Sequence, residues 1–177
     1  TNFAYGNGCG IIAGSSNGIT GELSAIAGGL QNKINGDANF IGGGGLNNIL
    51  ILASSSMIGA GENNSIGTNI DRAFIGAGTV NGILAGDSGI VAGDGNGINS
   101  GGDRSVIGGG NNNSVSSADS FIGAGNANII SAGQYSVIAS GQSNSIAATG
   151  GNAAIGGGAS NNIFAAADFA TIPGGRN

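Results

Sequence analysis

An aliphatic residue followed by Gly, Ala or, once, Pro recurs from one end of this chain to the other. It stands at Ile12, Ile26, Ile41, Ile58, Ile75, Val91, Ile107, Ile122, Ile138, Ile155 and Ile172, at a mean interval of 16 residues. A second aliphatic residue follows each of the first ten at seven or eight positions: Ile19, Ile34, Ile49, Ile66, Ile83, Ile98, Val115, Ile130, Ile146 and Ile163. Two positions before each of these is an asparagine: Asn17, Asn32, Asn47, Asn64, Asn81, Asn96, Asn113, Asn128, Asn144 and Asn161. Asn177 closes an eleventh, unfinished unit. A register kept this long is the signature of a repeat architecture, in which each unit buries its apolar face against its neighbours.

The unit cannot be helical. Glycine supplies 40 of 177 residues and costs about 1 kcal/mol per helix position relative to alanine. The apolar positions also show no sustained 3.6-residue period. The remaining regular solution is an all-β fold, a single-chain β-solenoid or β-roll of about eleven coils, forming one repetitive domain over residues 1–177. Each coil then supplies two strands of three or four residues, and successive coils pair along the axis. Ile12, Ile26, Ile41, Ile58, Ile75, Val91, Ile107, Ile122, Ile138, Ile155 and Ile172 are the expected solenoid core. The ten asparagines are the expected corner ladder, bonding their own backbone or the next coil. Glycine and asparagine are expected to take the positive-φ positions of the turns.

One chain does not hide all its apolar surface. The residue before the core aliphatic is bulky at Ile11, Phe40, Met57, Phe74, Ile90, Val106, Phe121 and Val137. Adjacent strand residues point to opposite faces, so these side chains form a stripe on the outside. Such a stripe exceeds what a monomer usually exposes. Phe40, Met57, Phe74, Val106, Phe121 and Val137 are therefore the expected interchain seam of a homo-oligomer. Closed threefold symmetry would hide it on every copy.

Ser105-Val106-Ile107-Gly108, Ser120-Phe121-Ile122-Gly123 and Ser136-Val137-Ile138-Ala139 resemble the head repeats of YadA-like trimeric autotransporter adhesins and related trimeric surface or phage fibres. The likeness extends loosely over the whole chain, with a longer repeat here. It implies a parallel homotrimer of β-rolls with the short Val106, Phe121 and Val137 strand facing the trimer axis. It also implies an extracellular, cell-surface or virion location and a possible host-surface or matrix ligand.

Catalysis has little to work with. The sequence has no histidine and one cysteine, Cys9, and no base that could activate it. The glycine clusters lack the lysine and helix of a phosphate loop, and four basic against nine acidic residues do not suit nucleic acid. No apolar run reaches the length of a membrane span. A narrow convex rod is expected to offer no pocket. No catalytic residue, cofactor or resident metal is expected. Glu22, Asp37, Asp71, Asp87, Asp103 and Asp168 each precede a core aliphatic by four residues. They read as turn caps for backbone N–H groups, with Arg72 and Arg104 easing their repulsion. A calcium ladder along Asp71, Asp87 and Asp103 is the alternative. The function expected is a non-catalytic structural or adhesive fibre segment. The alternatives are an extracellular filament subunit polymerising end to end, and an ice- or calcium-binding solenoid. The chain could also be a fragment of a longer fibre.

Overall fold

The computed structural model describes residues 1–148, 151–165 and 167–176; Asn177 lies outside them. Among the described residues every strand enters one of two parallel sheets of eleven strands each. The first begins at Phe3–Ala4 and ends at Asn162–Ala165; the second begins at Gly10–Ile11 and ends at Thr171–Ile172. The chain alternates between them, so each coil lays one strand on each sheet and pairs only with the coils before and after it. Single bridges from Ser15↔Leu30 to Ala159↔Arg176 add a third line of contact along the rod. Among the described residues there is no helix.

The strands are shorter than expected. Apart from Ser145–Ala148 and Asn162–Ala165, each has two residues, one pointing out and one in. Two-residue strands are viable because each is bonded on both sides, and the turns between them continue the ladder. Gly108 N–H, just past its strand, donates to Ile122 O at 2.9 Å, and Asn111 N–H donates to Gly125 O at 2.8 Å.

Ile26, Ile41, Ile58, Ile75, Ile107, Ile122, Ile138 and Ile155 fill the inside together with the aliphatics of the first sheet, while Ile172 on the last rung is half-buried. Two expected core residues do not belong there. Ile12 is 82% and Val91 52% exposed; Ile90 is fully buried in place of Val91, and Ile11, half-buried, takes the place of Ile12. At both places two aliphatics stand side by side, and burial alone cannot choose between them. The pairing of Ile90 with Ile75 and Ile107, and of Ile11 with Ile26, decides it. A slip of one residue would turn the strand inside out, and would also move Ser88 from the buried corner it shares with Ser105.

The intervals between second-sheet strands are consequently 15, 16 or 17 residues. The connection leading from the second sheet to the first is six residues long in every coil. All variation in length lies in the opposite turn, which has five to seven residues.

Two corners of the coil turn through the left-handed region, only partly on the glycines and asparagines expected there. The corner asparagines have ordinary φ. The residue before each takes φ near +55 to +60° instead, as at Leu46, Val80 and Asn112, and a second series runs through Leu23, Arg72, Tyr135 and Phe169. The left-handed region costs non-glycine residues roughly 1–2 kcal/mol each, a cost set against the bonds of the stacked coils. Glycine is obligatory at one further position, typified by Gly110 at φ 92°. A Cβ there would run into the carbonyl oxygen of Gly125 on the next coil.

Candidate functional site

The polar groups inside the rod form two ladders, the second interrupted at Ala73 and Ala153. In the first, each corner asparagine is buried and bonded to the coils on both sides. Asn113 Nδ2 donates to Gly109 O and to Gly125 O, each at 3.0 Å. Its Oδ1 accepts the backbone N–H of Asn128 at 3.0 Å, while its own N–H donates to Asn96 Oδ1 at 3.0 Å. A buried amide is tolerable only when satisfied in this way.

The second ladder has no counterpart in the sequence reading. Ser24, Asn39, Ser56, Ser88, Ser105, Ser120 and Ser136 are buried in one column just before the second-sheet strand. Ser120 N–H donates to Ser105 Oγ at 3.0 Å, and Ser105 Oγ lies 3.0 Å from Ser117 O, to which it donates. The signal was present as the serine that opens each Ser-Val-Ile-Gly unit. Cys9 occupies the corresponding place on the first rung and its thiol donates to Gly6 O.

On the outer face of the second sheet, Phe40, Met57, Phe74, Val106, Phe121 and Val137 stand exposed in one column. Ile11 and Ile90 are absent from it because they point inward, leaving Gly10 and Gly89 at those rungs. The phenylalanine rings reach over the glycine two residues on. A Cβ on Gly76 would lie 3.3 Å from the tip of the Phe74 ring, and Gly42 and Gly123 underlie Phe40 and Phe121 in the same manner. The column is thus a low apolar strip, with Phe74 38% exposed.

The variable turns carry most of the charges. Asp37, Asp103 and Asp168 cap the previous coil, accepting the N–H of Glu22, Gly86 and Gly151 at 2.8–2.9 Å, and Asp71 accepts the Ser54 hydroxyl at 2.6 Å. Asp87 does not stack with Asp71 and Asp103. Its N–H donates to Asp71 O, while Gly86 O accepts from Arg104 N–H. Asp87 therefore stands one column over, with Arg72, Arg104 and Asp119, and the calcium ladder is broken at its middle rung. The cause is the same one-residue shift that buries Ile90. Among the described residues no three acidic, Cys or His side chains cluster as metal ligands.

Arg72 grips Asp87 with both Nε and an Nη, the latter at 2.9 Å, and Arg104 grips Asp119 at 2.7 and 2.8 Å. The hydrogen bonds from each arginine, aided by its charge, hold both carboxyls below the ordinary carboxylate range.

The rod is not featureless. A shallow groove of about 520 Å³ opens on the variable edge, where the expectation was of a convex surface without pockets. The turn at 116–120 has five residues, while 99–105 has seven and 131–136 six. The short turn forms a floor between longer neighbours. A smaller hollow of about 250 Å³ on the other corner is lined by Lys33, Leu46 and Asn48 among others.

Two parallel sheets wound coil by coil from one chain define the class: a parallel β-solenoid with buried asparagine and serine ladders. No family model matches the chain, and no curated protein matches it. Among the described residues no helix is long and apolar enough to cross a membrane.

Proposed function

We propose that the chain is a rigid, non-catalytic segment of a fibre presented outside the cell or on a virion, in which copies pack side by side as a parallel homotrimer. The observation that carries this is the apolar column from Phe40 to Val137 on the outer face of the second sheet. Its rings already lie low over Gly42, Gly76 and Gly123, so a flat partner surface can close on them without rearrangement. A straight ladder repeats the same outer position on every rung, and copies related by a parallel axis meet rung for rung. Catalysis finds no support: Asp37, Asp103 and Asp168 are engaged in backbone caps, and Asp87 and Asp119 in arginine pairs.

Sedimentation velocity of the purified chain tests the association. A discrete trimer that Phe74→Asp converts to single chains, with an unchanged far-ultraviolet spectrum, is the expected result. A stable soluble monomer with these rings exposed would overturn it. Electron microscopy of the native assembly separates a finite rod from a filament growing end to end.

A further inference from the structure

We infer that the groove above residues 116–118 is a binding site for a neutral saccharide. This rests on reading the chain as an exposed, non-catalytic rod and names the class of ligand such a rod would hold. The groove's size, about 520 Å³, falls in the range of small-molecule sites. Its floor is the short turn through Ser116, Ser117 and Ala118, and Gln134, Tyr135 and Asn152 line it from the next two coils.

Three features select the ligand. Tyr135 is 58% exposed and is carried into the open by its left-handed backbone, φ 60°. It offers a ring face to the C–H side of a sugar, as amphipathic aromatics do at recognition surfaces. The side-chain amides of Gln134 and Asn152 make no hydrogen bond among the described residues, although Asn152 N–H is held by Gln134 O at 2.9 Å. Ser117 is only 7% exposed, yet its hydroxyl has no hydrogen-bond partner among the described residues while the residue lines the groove. Amides and a hydroxyl without a partner among the described residues are donors and acceptors suited to sugar hydroxyls.

No lining residue carries a formal charge at neutral pH. The neighbouring Arg104 and Asp119 neutralise each other. An acidic sugar or a phosphate therefore finds no counter-charge. A lipid tail finds too many polar groups.

The test is saturation-transfer NMR on the full chain with methyl β-galactoside, methyl α-glucoside, N-acetylglucosamine, lactose and chitobiose, with N-acetylneuraminic acid as the charged comparison. At least one neutral sugar is expected to bind, with saturation concentrated on one ring face. Tyr135→Asn removes the ring and keeps a residue suited to positive φ; Ala118→Phe fills the floor. Each should weaken binding at least about tenfold in protein whose circular dichroism is unchanged. Should either variant misfold, Ser117→Ala supplies the same reading on a smaller scale. Phe74→Asp, on another face, should bind as the native chain does, whatever it does to the oligomer. Binding of none of the neutral sugars up to about 50 mM, tighter binding of N-acetylneuraminic acid, or equal binding by folded Tyr135→Asn and Ala118→Phe would each overturn the site. Sedimentation reads the fibre proposal separately, so the two can fail independently.

Discussion

The backbone N–H of Asn128 donates to the side-chain Oδ1 of Asn113, 15 residues earlier and one rung away, at 3.0 Å. The same bond recurs from Asn17 to Asn161, so that each buried amide is held by the coil on either side of it. Removing one link leaves partners on two segments unpaired. Asn113→Ala strands Gly109 O and Asn128 N–H, both on buried residues, while Gly125 O keeps the N–H of Asn111. The expected loss is at least about 3 kcal/mol, read by urea denaturation. Asn113→Asp keeps the acceptor but cannot donate twice, and it brings a buried charge. It should unfold more easily still at neutral pH and recover part of the deficit on mild acidification, when the carboxyl is protonated. A loss below about 1 kcal/mol for Asn113→Ala would mean that the ladder is not a principal support.

Ile90 and Val91 are neighbours with opposite fates. Ile90 is enclosed between Ile75 and Ile107, and Ile90→Ser should cost about 3 kcal/mol through lost packing and a poorly matched hydroxyl. Val91 is outside, and Val91→Ser should stay within about 0.5 kcal/mol of the native chain. Paired thermal denaturation of the two variants checks the register directly; the reverse order would restore Val91 to the core.

The Arg72–Asp87 and Arg104–Asp119 pairs make stability depend on acid. Both carboxyls titrate lower in the folded chain than in the unfolded one. Their contribution is therefore complete above the ordinary carboxylate pKa, about 3.9, and is lost as the pH falls through the lower folded values. Exposure and salt screening keep the effect small. Arg72→Gln should reduce the drop in melting temperature between about pH 5 and about pH 2. An identical drop in the variant would show that the pair does not couple to folding.

The repeat was legible because each of its components is a local requirement. An aliphatic residue in each strand from Gly10–Ile11 onward, an asparagine at one corner of the coil and glycine where coils approach closely recur in the sequence itself. They announce a solenoid before any contact is known. The acid caps at Asp37, Asp103 and Asp168 were legible for the same reason, since a turn carboxylate finds backbone N–H groups nearby.

The tertiary structure alone decided the register at Ile11 and Ile90, where two adjacent aliphatics are equally apolar and only pairing with the coils before and after selects one. That choice also removed Asp87 from the line of Asp71 and Asp103. It set Arg72, Asp87, Arg104 and Asp119 in one column, where the arginines could reach the carboxylates. The groove at Ser117 and Tyr135 likewise depends on turns of different length lying side by side. Turn lengths can be counted along the chain, but a hollow exists only between coils, after stacking has placed a short turn between longer ones.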